Sequence, residues 1–376
     1  MNNQDIDFDF IEPYIDSQVS DVIQSLLKDK DFHKAISSHF YPKLNNIAPF
    51  LTQFIFQKTF SRHFRSSSTI DEFQQSLAPF VKEMIDKTTK GFTYSGLENL
   101  TSKPTLFLSN HRDIALDSLF LNYARFREGF KTARIAVGDN LLDGGFSEKL
   151  MRLNKSFVVH RNIKGVKKTF RKLKRLSSFI DRSINTDKES IWISQKEGRA
   201  SDGNDYTDTA VLKMLYLSCR KKLQLDQWIL RVNLTPISIS YEYDPLDVTK
   251  AIGWEGWEGL SEEENNKRDL EELMKGIREE KGRVHLHICK SLSDCPSKVE
   301  ELAFQIDNEI ISNYRLWPSN FIAAKETNLF KTSTNSDSEV HDALFLKRFE
   351  GLEPELKEKV LKIYAAPYVN ARKKSS

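Results

Sequence analysis

The sequence has little cysteine and no long apolar run. Its 376 residues include three cysteines, Cys219, Cys289 and Cys295, which form no Cys-x-x-Cys pair and leave an odd thiol. This usage is typical of a reducing cytoplasm and excludes a disulfide scaffold. No window holds about 18 consecutive apolar residues, so we predict no transmembrane helix. The opening residues are polar and acidic, which excludes a secretory signal of the usual kind.

A large excess of charge of one sign is also missing. The formal net charge is +3, too close to balance to indicate a nucleic-acid binder. The hydrophobic fraction of 39%, with 25 phenylalanines, is enough for a substantial core and excludes wholesale disorder. At this length the chain has room for one large domain with additions, or for two domains.

Two kinds of apolar pattern divide the chain. Residues 1–95 carry apolar side chains at helical spacing and indicate a helical accessory region. From 96 to 320, short apolar runs alternate with helical patterns. This alternation predicts an α/β domain with a mixed, largely parallel sheet flanked by helices. Residues 321–376 are predicted to hold a polar loop and C-terminal helices.

The individual elements follow from the same periodicity. The predicted strands are Phe92–Ser95, Thr105–Leu108, Ala133–Val137, Ser156–His160, Ser190–Ser194, Asn233–Tyr241 and Arg283–Cys289. The predicted helices lie at 16–40, 44–60, 70–85, 114–126, 146–153, 164–185, 207–222, 261–281, 297–313, 340–349 and 353–364, with a polar loop at 332–338. Ser261 and Glu264 have the spacing of a capping box at the start of one helix.

Four polar segments fall at or beside predicted strands, in order along the chain. They are Asn110–Asp117, Ser156–Arg161, Ile193–Arg199 and Thr235–Tyr241. Because the carboxyl ends of parallel strands share one edge of the sheet, we expect these side chains to converge on one crevice.

The first segment suggests a general base. His111 follows a short apolar strand, and Asp113 and Asp117 follow it at the start of a helical pattern. Neither acid shares a helix face with His111, so a pair forms only if the chain turns between them. A histidine held by a carboxylate strips a proton from an alcohol. Asp113 also suits an ordinary helix N-cap, which is the alternative role for that residue.

The later segments suggest an anion site. Arg161 and Arg199 offer planar, permanently charged groups suited to phosphate. Glu197 would accept a substrate hydroxyl or orient Arg161, and Gly198 would let the backbone approach closely. No Gly-x-Ser-x-Gly elbow is present, so the base would activate the acceptor hydroxyl directly, without a covalent enzyme intermediate.

These segments resemble the four ordered blocks of the glycerophosphate acyltransferase family, which includes glycerol-3-phosphate and 1-acyl-glycerol-3-phosphate (lysophosphatidate) acyltransferases. The matching residues are Asn110-His111 with Asp117, Phe157-x-x-x-Arg161, Glu197-Gly198-Arg199 and Pro236-Ile-Ser-Ile-Ser-Tyr241. The resemblance covers roughly residues 104–242. It implies an enzyme that uses acyl-coenzyme A or acyl-carrier protein as co-substrate and needs no metal or other cofactor.

The resemblance also implies roles for individual residues. His111 would be the catalytic base and Asp117 its partner. Positions matching Arg161, Glu197 and Arg199 hold the glycerophosphate acceptor, and Pro236 falls in the block that shapes the acyl-donor site. Arg112 and Gly198 complete the predicted substrate-binding set. Arg112, with the Ile-Ser-Ile-Ser-Tyr ending, is closer to the glycerol-3-phosphate branch of the family.

Two departures from the family pattern leave alternatives open. Five residues separate His111 from Asp117, where the family has four, so Asp113 competes as partner. One residue is missing between Gly198 and Arg199, which displaces the arginine. The following polar residues, Asp202, Asn204 and Asp205, would then take over substrate contacts or cap the next helix.

Two segments suggest contact with a membrane. Between Arg161 and Ser178 eight basic residues and no acids surround an apolar stripe, so we expect an anionic membrane surface as partner. The phosphates of coenzyme A, an acidic carrier protein or plain solvent are the alternatives for this basic helix. The apolar run from Ile47 to Phe56 would dip into the membrane interface or belong to the core. The expected location is cytoplasmic, peripheral on the inner face of the membrane.

Two further features suit structural roles. His285 and His287 share one face of a strand, and no array of metal-ligand spacing surrounds them, so an exposed strand face is favoured over a metal site. The triplet repeat Gly253–Gly259 lacks the position of a dinucleotide loop. Its Trp254 and Trp257 would anchor at a membrane interface or pin a tight turn.

Two rival functions remain open from the sequence. One keeps the chemistry and changes the acceptor to another lyso-lipid, such as an aminoacyl-lipid precursor. The other is a non-catalytic lipid- or membrane-binding module of the same fold.

Overall fold

The computed structural model describes residues 11–40, 47–142, 144–160, 165–253, 261–294, 296–329 and 339–375. The strands are β1 (Phe92–Ser95), β2 (Leu106–Ser109), β3 (Arg134–Gly138), β4 (Ser156–Val159), β5 (Ile191–Ser194), β6 (Thr235–Tyr241) and β7 (Val284–Ile288). The helices are α1 (Asp16–Lys28), α2 (Lys30–Phe40), α3 (Pro49–Phe64), α4 (Ile70–Thr88), α5 (Leu116–Arg127), α6 (Phe146–Leu153), α7 (Val166–Asn185), α8 (Thr209–Tyr216), α9 (Leu225–Arg231), α10 (Asp247–Ile252), α11 (Glu262–Arg278), α12 (Val299–Ser312), α13 (Pro318–Glu326), α14 (Glu339–Lys347) and α15 (Pro354–Ser375).

The predicted fold class is confirmed. All seven predicted strands are present, each within two residues of its expected bounds, and helices alternate with them. Every residue of β2 and β6 is buried, as expected for strands that are covered on both faces. The serines that alternate with isoleucine in β6 are buried too, and Ser238 Oγ donates to the Ile310 carbonyl. The Ser261 capping box is also present, since Ser261 Oγ accepts from the Glu264 amide and Glu264 accepts from the Ser261 amide.

The chain divides into two compact units. The larger comprises Met84–Ala133 and Lys164–Ser376, and the smaller comprises Met1–Glu83 and Arg134–Ile163. The smaller unit therefore combines the N-terminal helices with a later piece of chain. The division into 1–95, 96–320 and 321–376 stays a prediction.

The larger unit contains a mixed sheet with strand order β1-β7-β6-β2-β5. The strand β2 lies parallel to both β5 and β6, and β1 lies parallel to β7. The pairing of β6 with β7 is antiparallel. The carboxyl ends of β2, β5 and β6 therefore meet at one edge, where three of the four polar segments lie.

The smaller unit pairs β3 with β4 in parallel and packs its helices around a phenylalanine core. The rings of Phe32, Phe56 and Phe60 contact one another edge to face or tilted, with centroids 5.0–5.8 Å apart. Aromatic pairs in such arrangements stabilise the fold by more than the burial of their apolar surface alone. Part of the Ile47–Phe56 run is thus core, since Phe56 is buried, whereas its first residues are exposed.

Some helix bounds differ from expectation for local reasons. One helix was expected at 16–40, but Asp29 takes an extended conformation, ends α1 and accepts a hydrogen bond from the Phe32 amide at the start of α2. The helix expected at 207–222 ends at Tyr216. The last helix runs to Ser375 rather than Tyr364, and the short helices α9, α10 and α13 were not predicted.

Two predicted loops lie outside the described residues: all of 332–338, and the two-tryptophan repeat from Trp254 onward. None of the helices in the described ranges combines the length and the apolarity that a membrane crossing requires.

Candidate active site

The site begins where β2 ends and the chain turns. The buried side chain of Asn110 donates from Nδ2 to the Ile239 carbonyl (2.9 Å) and accepts from the Ile239 amide (2.8 Å). These two side-chain hydrogen bonds therefore take the place of a backbone pair between β2 and β6. Because an unpaired amide inside the sheet would be costly, this asparagine fixes the point at which His111 leaves the strand.

His111 and Asp117 meet across the turn. His111 Nδ1 lies 2.9 Å from Asp117 Oδ2, and the Asp117 carboxylate is buried. The chain bends at 113–115, between His111 and the start of α5. The same oxygen of Asp117 accepts from the amides of Arg112 (2.7 Å) and Asp113 (3.0 Å). This carboxylate thus fixes both the imidazole and the backbone that carries it.

Tyr241, the last residue of β6, completes the surroundings of Asp117. Its hydroxyl donates to Asp117 Oδ1 over 2.6 Å. Burial, and then the carboxylates of Asp117 and Asp113, raise the pKa of Tyr241 well above its usual value, so the phenol stays protonated and donates. Sequence reasoning assigned no role to Tyr241. Its only signal was its position at the end of the fourth block.

Asp113 has a different structural role from Asp117. Its Oδ1 accepts from the amides of Ala115 (2.9 Å) and Leu116 (2.8 Å), so it caps the start of α5. Burial, and then the Asp117 carboxylate, raise the pKa of Asp113 above its usual value. The structure pairs His111 with Asp117, not with Asp113.

The imidazole of His111 is enclosed on one side by Trp192 of β5. The two rings meet edge to face with centroids 5.9 Å apart, and 12% of the His111 side chain remains exposed. The opposite side of the His111 backbone is tied to the third block, because the Ala200 amide donates to the His111 carbonyl over 2.8 Å. His111 is therefore held by packing and by hydrogen bonds, and a small part of its side chain remains exposed.

Arg112 lies in the interior, whereas the sequence placed it among the substrate-binding residues. Only 1% of its side chain is exposed. The guanidinium donates to Asp205 (2.5 Å), Asp244 (3.1 Å) and the Gly203 carbonyl (3.0 Å). Burial by itself would lower the pKa of Arg112, but Asp205 and Asp244 outweigh it and raise the pKa well above its usual value. Arg112 therefore connects the loops that hold Asp205 and Asp244, and its contact with substrate stays a prediction.

The third block forms a turn after β5. Gly198 has φ +75°, and no neighbouring atom lies within 4 Å of where its Cβ would be, so open space faces it. Glu197 is exposed, and the Arg199 side chain is 20% exposed. The Arg199 guanidinium donates from Nη2 to Glu272 Oε2 on α11 over 2.5 Å. Sequence reasoning missed Glu272, which lies in an ordinary charged helix.

The loop after Arg199 is held by the C-terminal helix α15. Asn370 donates to Asn204 Oδ1 (2.9 Å) and accepts from the Tyr206 hydroxyl (3.1 Å). Gly203 sits so close to the Ile363 carbonyl that a Cβ there would overlap it. The polar residues of this loop therefore make protein contacts, and Asp205 binds Arg112.

Pro236 and Arg161 are the remaining predicted residues. Pro236 is buried in β6 and paired with Leu108 of β2, and its role at the acyl-donor site stays a prediction. Arg161 lies outside the described residues. In the smaller unit, His160 Nδ1 lies 3.0 Å from Asp139 Oδ2.

The two strand histidines bind hydroxyls. His285 contacts Thr93 Oγ1 (2.8 Å) and Ser95 Oγ (3.0 Å), and His287 contacts Ser95 Oγ (2.8 Å). Across the part of the chain that the structure describes, no group of three or more histidine, cysteine, aspartate or glutamate residues is placed to hold a metal ion.

Comparison with known proteins identifies the segment that holds this geometry. Residues 91–204 match the family model described as Acyltransferase. This part of the chain is similar to acyltransferases. The match contains the first three blocks, so the resemblance found in the sequence is confirmed there; the Pro236 block lies beyond it.

The chain is also similar to a solved structure. That structure is the 1-acyl-sn-glycerophosphate (LPA) acyltransferase PlsC from Thermotoga maritima, which is 13% identical in sequence. The match covers 74% of this chain and 94% of that chain, with a TM-score of 0.38, a likeness too distant to carry an argument about the site. Among curated proteins, none matches the chain.

Proposed function

We propose that the protein moves a fatty acyl group from an acyl thioester to a hydroxyl of a glycerophosphate-type acceptor, glycerol 3-phosphate or 1-acyl-glycerol 3-phosphate. The contact of 2.9 Å between His111 and Asp117, inside a segment that matches acyltransferases, carries the proposal. The classes of donor and acceptor follow from the resemblance of the four blocks.

The proposed reaction needs one base. With its Nδ1 proton donated to Asp117, His111 presents the Nε2 lone pair to the acceptor hydroxyl. As Nε2 takes the proton, the acceptor oxygen attacks the thioester carbonyl and forms a tetrahedral intermediate. The intermediate expels the thiolate, which recovers the proton from the imidazolium. Asp117 would stabilise that imidazolium, as the carboxylate does in other histidine-based acyl transfers.

The proposed acceptor site uses basic side chains of the second and third blocks. Arg199 belongs to the third block, whose Ala200 amide is bonded to the His111 carbonyl, and Arg161 is included on the resemblance alone. A guanidinium binds phosphate in two-point fashion, which would orient the acceptor hydroxyl toward the base.

The test measures thiol release from acyl-coenzyme A with and without glycerol 3-phosphate. Wild type should release thiol in an acceptor-dependent way, and His111→Ala should lower the rate by about 10²–10⁴-fold, since general-base catalysis contributes on that order. The unfolding midpoint of the variant should match wild type. Undiminished activity in His111→Ala would remove the mechanism.

A panel of acceptors distinguishes the rivals. With one labelled acyl-coenzyme A, product formed only from another lyso-lipid would favour the alternative acceptor class. Vesicle binding without thiol release from any acceptor would favour a non-catalytic lipid-binding module. Arg161→Ala is expected to raise the Michaelis constant for the glycerophosphate acceptor, and an unchanged constant would remove Arg161 from the site.

We also propose that the protein docks on an anionic membrane surface through α7. The first turns of this helix expose Val166 (88%) and Phe170 (48%) to solvent. Six basic residues share this part of the helix: Lys167, Lys168, Arg171, Lys172, Lys174 and Arg175. Apolar side chains set among cations are typical of helices that lie in the headgroup region.

A second exposed surface, at the start of α3 in the smaller unit, supports contact with lipid. Phe50 is 87% exposed, and Ile47, Leu51 and Phe54 are also more than half exposed. Large aromatic and aliphatic side chains grouped on a surface indicate a binding site for another apolar phase.

Vesicle sedimentation tests the α7 proposal. Replacing Lys167, Lys168 and Lys174 with Gln should weaken binding to phosphatidylglycerol-containing vesicles by roughly 1 kcal/mol per lysine. The control replaces Lys357, Lys359 and Lys362 of α15, which removes the same charge from another helix. Equal weakening in both variants would show a net-charge effect and would overturn the assignment to α7.

A further inference from the structure

One helix contacts both of the loops that carry the proposed chemistry. Glu272 of α11 binds Arg199 of the third block, as described above. One helical turn later, Gly276 packs against the first block: a Cβ at this position would lie 2.7 Å from Asp113 Oδ2. Residues four apart share a helix face. The same face of α11 therefore covers the turn after His111 and the turn that holds Arg199.

The ion pair between Arg199 and Glu272 is only partly satisfied. One hydrogen bond joins Nη2 to Oε2, while Arg199 Nη1 and Glu272 Oε1 have no hydrogen-bond partner among the described residues. The Glu272 side chain is 7% exposed, and its second oxygen lies 4.0 Å from Arg268 Nε. A two-point contact would satisfy both atoms, so this single-point contact does not use the full binding capacity of the guanidinium.

A phosphate and the Glu272 carboxylate would use the same donors. Both are anionic oxygen groups, and Arg199 has one guanidinium to offer. A phosphate that takes up two-point contact must replace the existing bond to Glu272. The net binding free energy of the phosphate is the free energy of its contact with Arg199 minus that of the contact between Arg199 and Glu272. The carboxylate that already binds Arg199 therefore weakens the apparent affinity for the acceptor.

We propose that Glu272 competes with the anionic group of the acceptor for Arg199, so that α11 sets the affinity of the site for its acceptor. The inference rests on the proposed function, because it takes Arg199 as the acceptor's phosphate ligand. It adds a residue that lies 73 positions from Arg199 and outside all four sequence blocks.

The test measures binding of glycerol 3-phosphate by calorimetry and the Michaelis constant for it by thiol release. Glu272→Gln removes the charge of the side chain and keeps its shape. It should lower both the dissociation constant and the Michaelis constant about five-fold, which corresponds to the free energy of a partly exposed ion pair. The matched control is Glu271→Gln, which removes the same charge from an exposed neighbour on α11. It should leave both constants unchanged.

A variant without the arginine separates competition from a general charge effect. In an Arg199→Ala background, Glu272→Gln should have no further effect, because the shared partner is gone. A raised or unchanged Michaelis constant in Glu272→Gln, or an equal gain in Glu271→Gln, would overturn the inference. Should Glu272→Gln not fold, Glu272→Asp withdraws the carboxylate and is expected to lower both constants to a smaller extent.

Different results would contradict the role of Glu272 and the proposed function. If wild type neither binds glycerol 3-phosphate nor transfers an acyl group to it, the proposed function fails. If wild type does both and Arg199→Ala weakens binding, but Glu272→Gln behaves like Glu271→Gln, only the role of Glu272 fails.

Discussion

At the scale of single residues, Asp117 makes more contacts than a histidine partner needs. It accepts from His111, from two backbone amides and from the Tyr241 hydroxyl. The amides come from the residues that directly follow the histidine. Losing this carboxylate would therefore affect both the tautomer of the base and the path of the chain around it.

Replacing Asp117 with Asn tests the first of these effects. The amide keeps the size of the side chain but not the charge that stabilises an imidazolium, so we expect kcat to fall by about 10²–10⁴-fold. The measurement is thiol release under saturating acceptor, with the free energy of unfolding as control. A kcat within about two-fold of wild type would show that Asp117 holds the backbone only.

Tyr241→Phe tests the contact that the sequence did not reveal. The hydroxyl donates to a buried carboxylate, and hydrogen bonds to charged groups contribute about 1.5–3 kcal/mol. We expect the free energy of unfolding to fall by about that amount, measured by urea denaturation. Tyr94→Phe, which removes a hydroxyl bonded to the exposed Glu128, is the matched control and should cost much less.

At the scale of elements, α15 positions the loop that follows Arg199. This helix is anchored in its own core by Val360, Ile363 and Tyr364, and the Tyr364 hydroxyl accepts from the Asp244 amide. Asp244 in turn binds Arg112, next to His111. These contacts connect α15 to the loops that hold Arg112 and Arg199, so this helix helps to position the candidate site.

Gly203→Ala tests this contact between loop and helix. A Cβ at Gly203 would overlap the Ile363 carbonyl, in addition to the strain of its φ of +76°. Gly129 has φ +79° with nothing near its Cβ, so Gly129→Ala isolates the conformational cost, about 1 kcal/mol. We expect Gly203→Ala to lower the free energy of unfolding by clearly more than Gly129→Ala. Equal losses in urea denaturation would show that the loop does not depend on α15.

At the scale of the whole molecule, partly buried titratable groups such as His285 make stability depend on pH. Burial, and then Arg315 and His287, lower the pKa of His285 from 6.5 to about 4. Between those values the unfolded chain binds a proton that the folded chain does not. His285 therefore makes its full contribution to the free energy of unfolding above pH 6.5, and this contribution is lost as the pH falls toward 4.

His285→Gln tests that contribution. Glutamine keeps a hydrogen-bonding side chain near Thr93 and Ser95 but does not titrate. We expect the variant to lose less stability than wild type between pH 7 and pH 5, measured by urea unfolding at both values. Parallel losses in the two proteins would assign the acid sensitivity to other groups.

The sequence by itself predicted the elements whose signals are local. Strand runs, helical stripes and the Ser261 capping box lie within a few residues of one another, so β1–β7 and most long helices were found. Short helices such as α9 and α10 have too few turns to show a stripe. The candidate base, His111, was also found locally, from its position after a strand.

Only the tertiary structure decided which side chains meet at the site. Tyr241 lies 124 positions from Asp117, Glu272 lies 73 from Arg199, and Asp244 lies 132 from Arg112. The same distances explain why the sequence does not reveal the ion pairs of Arg112: the carboxylates that enclose it lie far from it in the chain. Periodicity in the sequence reflects the position of each residue within its own helix or strand. Contacts between residues of different elements depend instead on how the whole core packs.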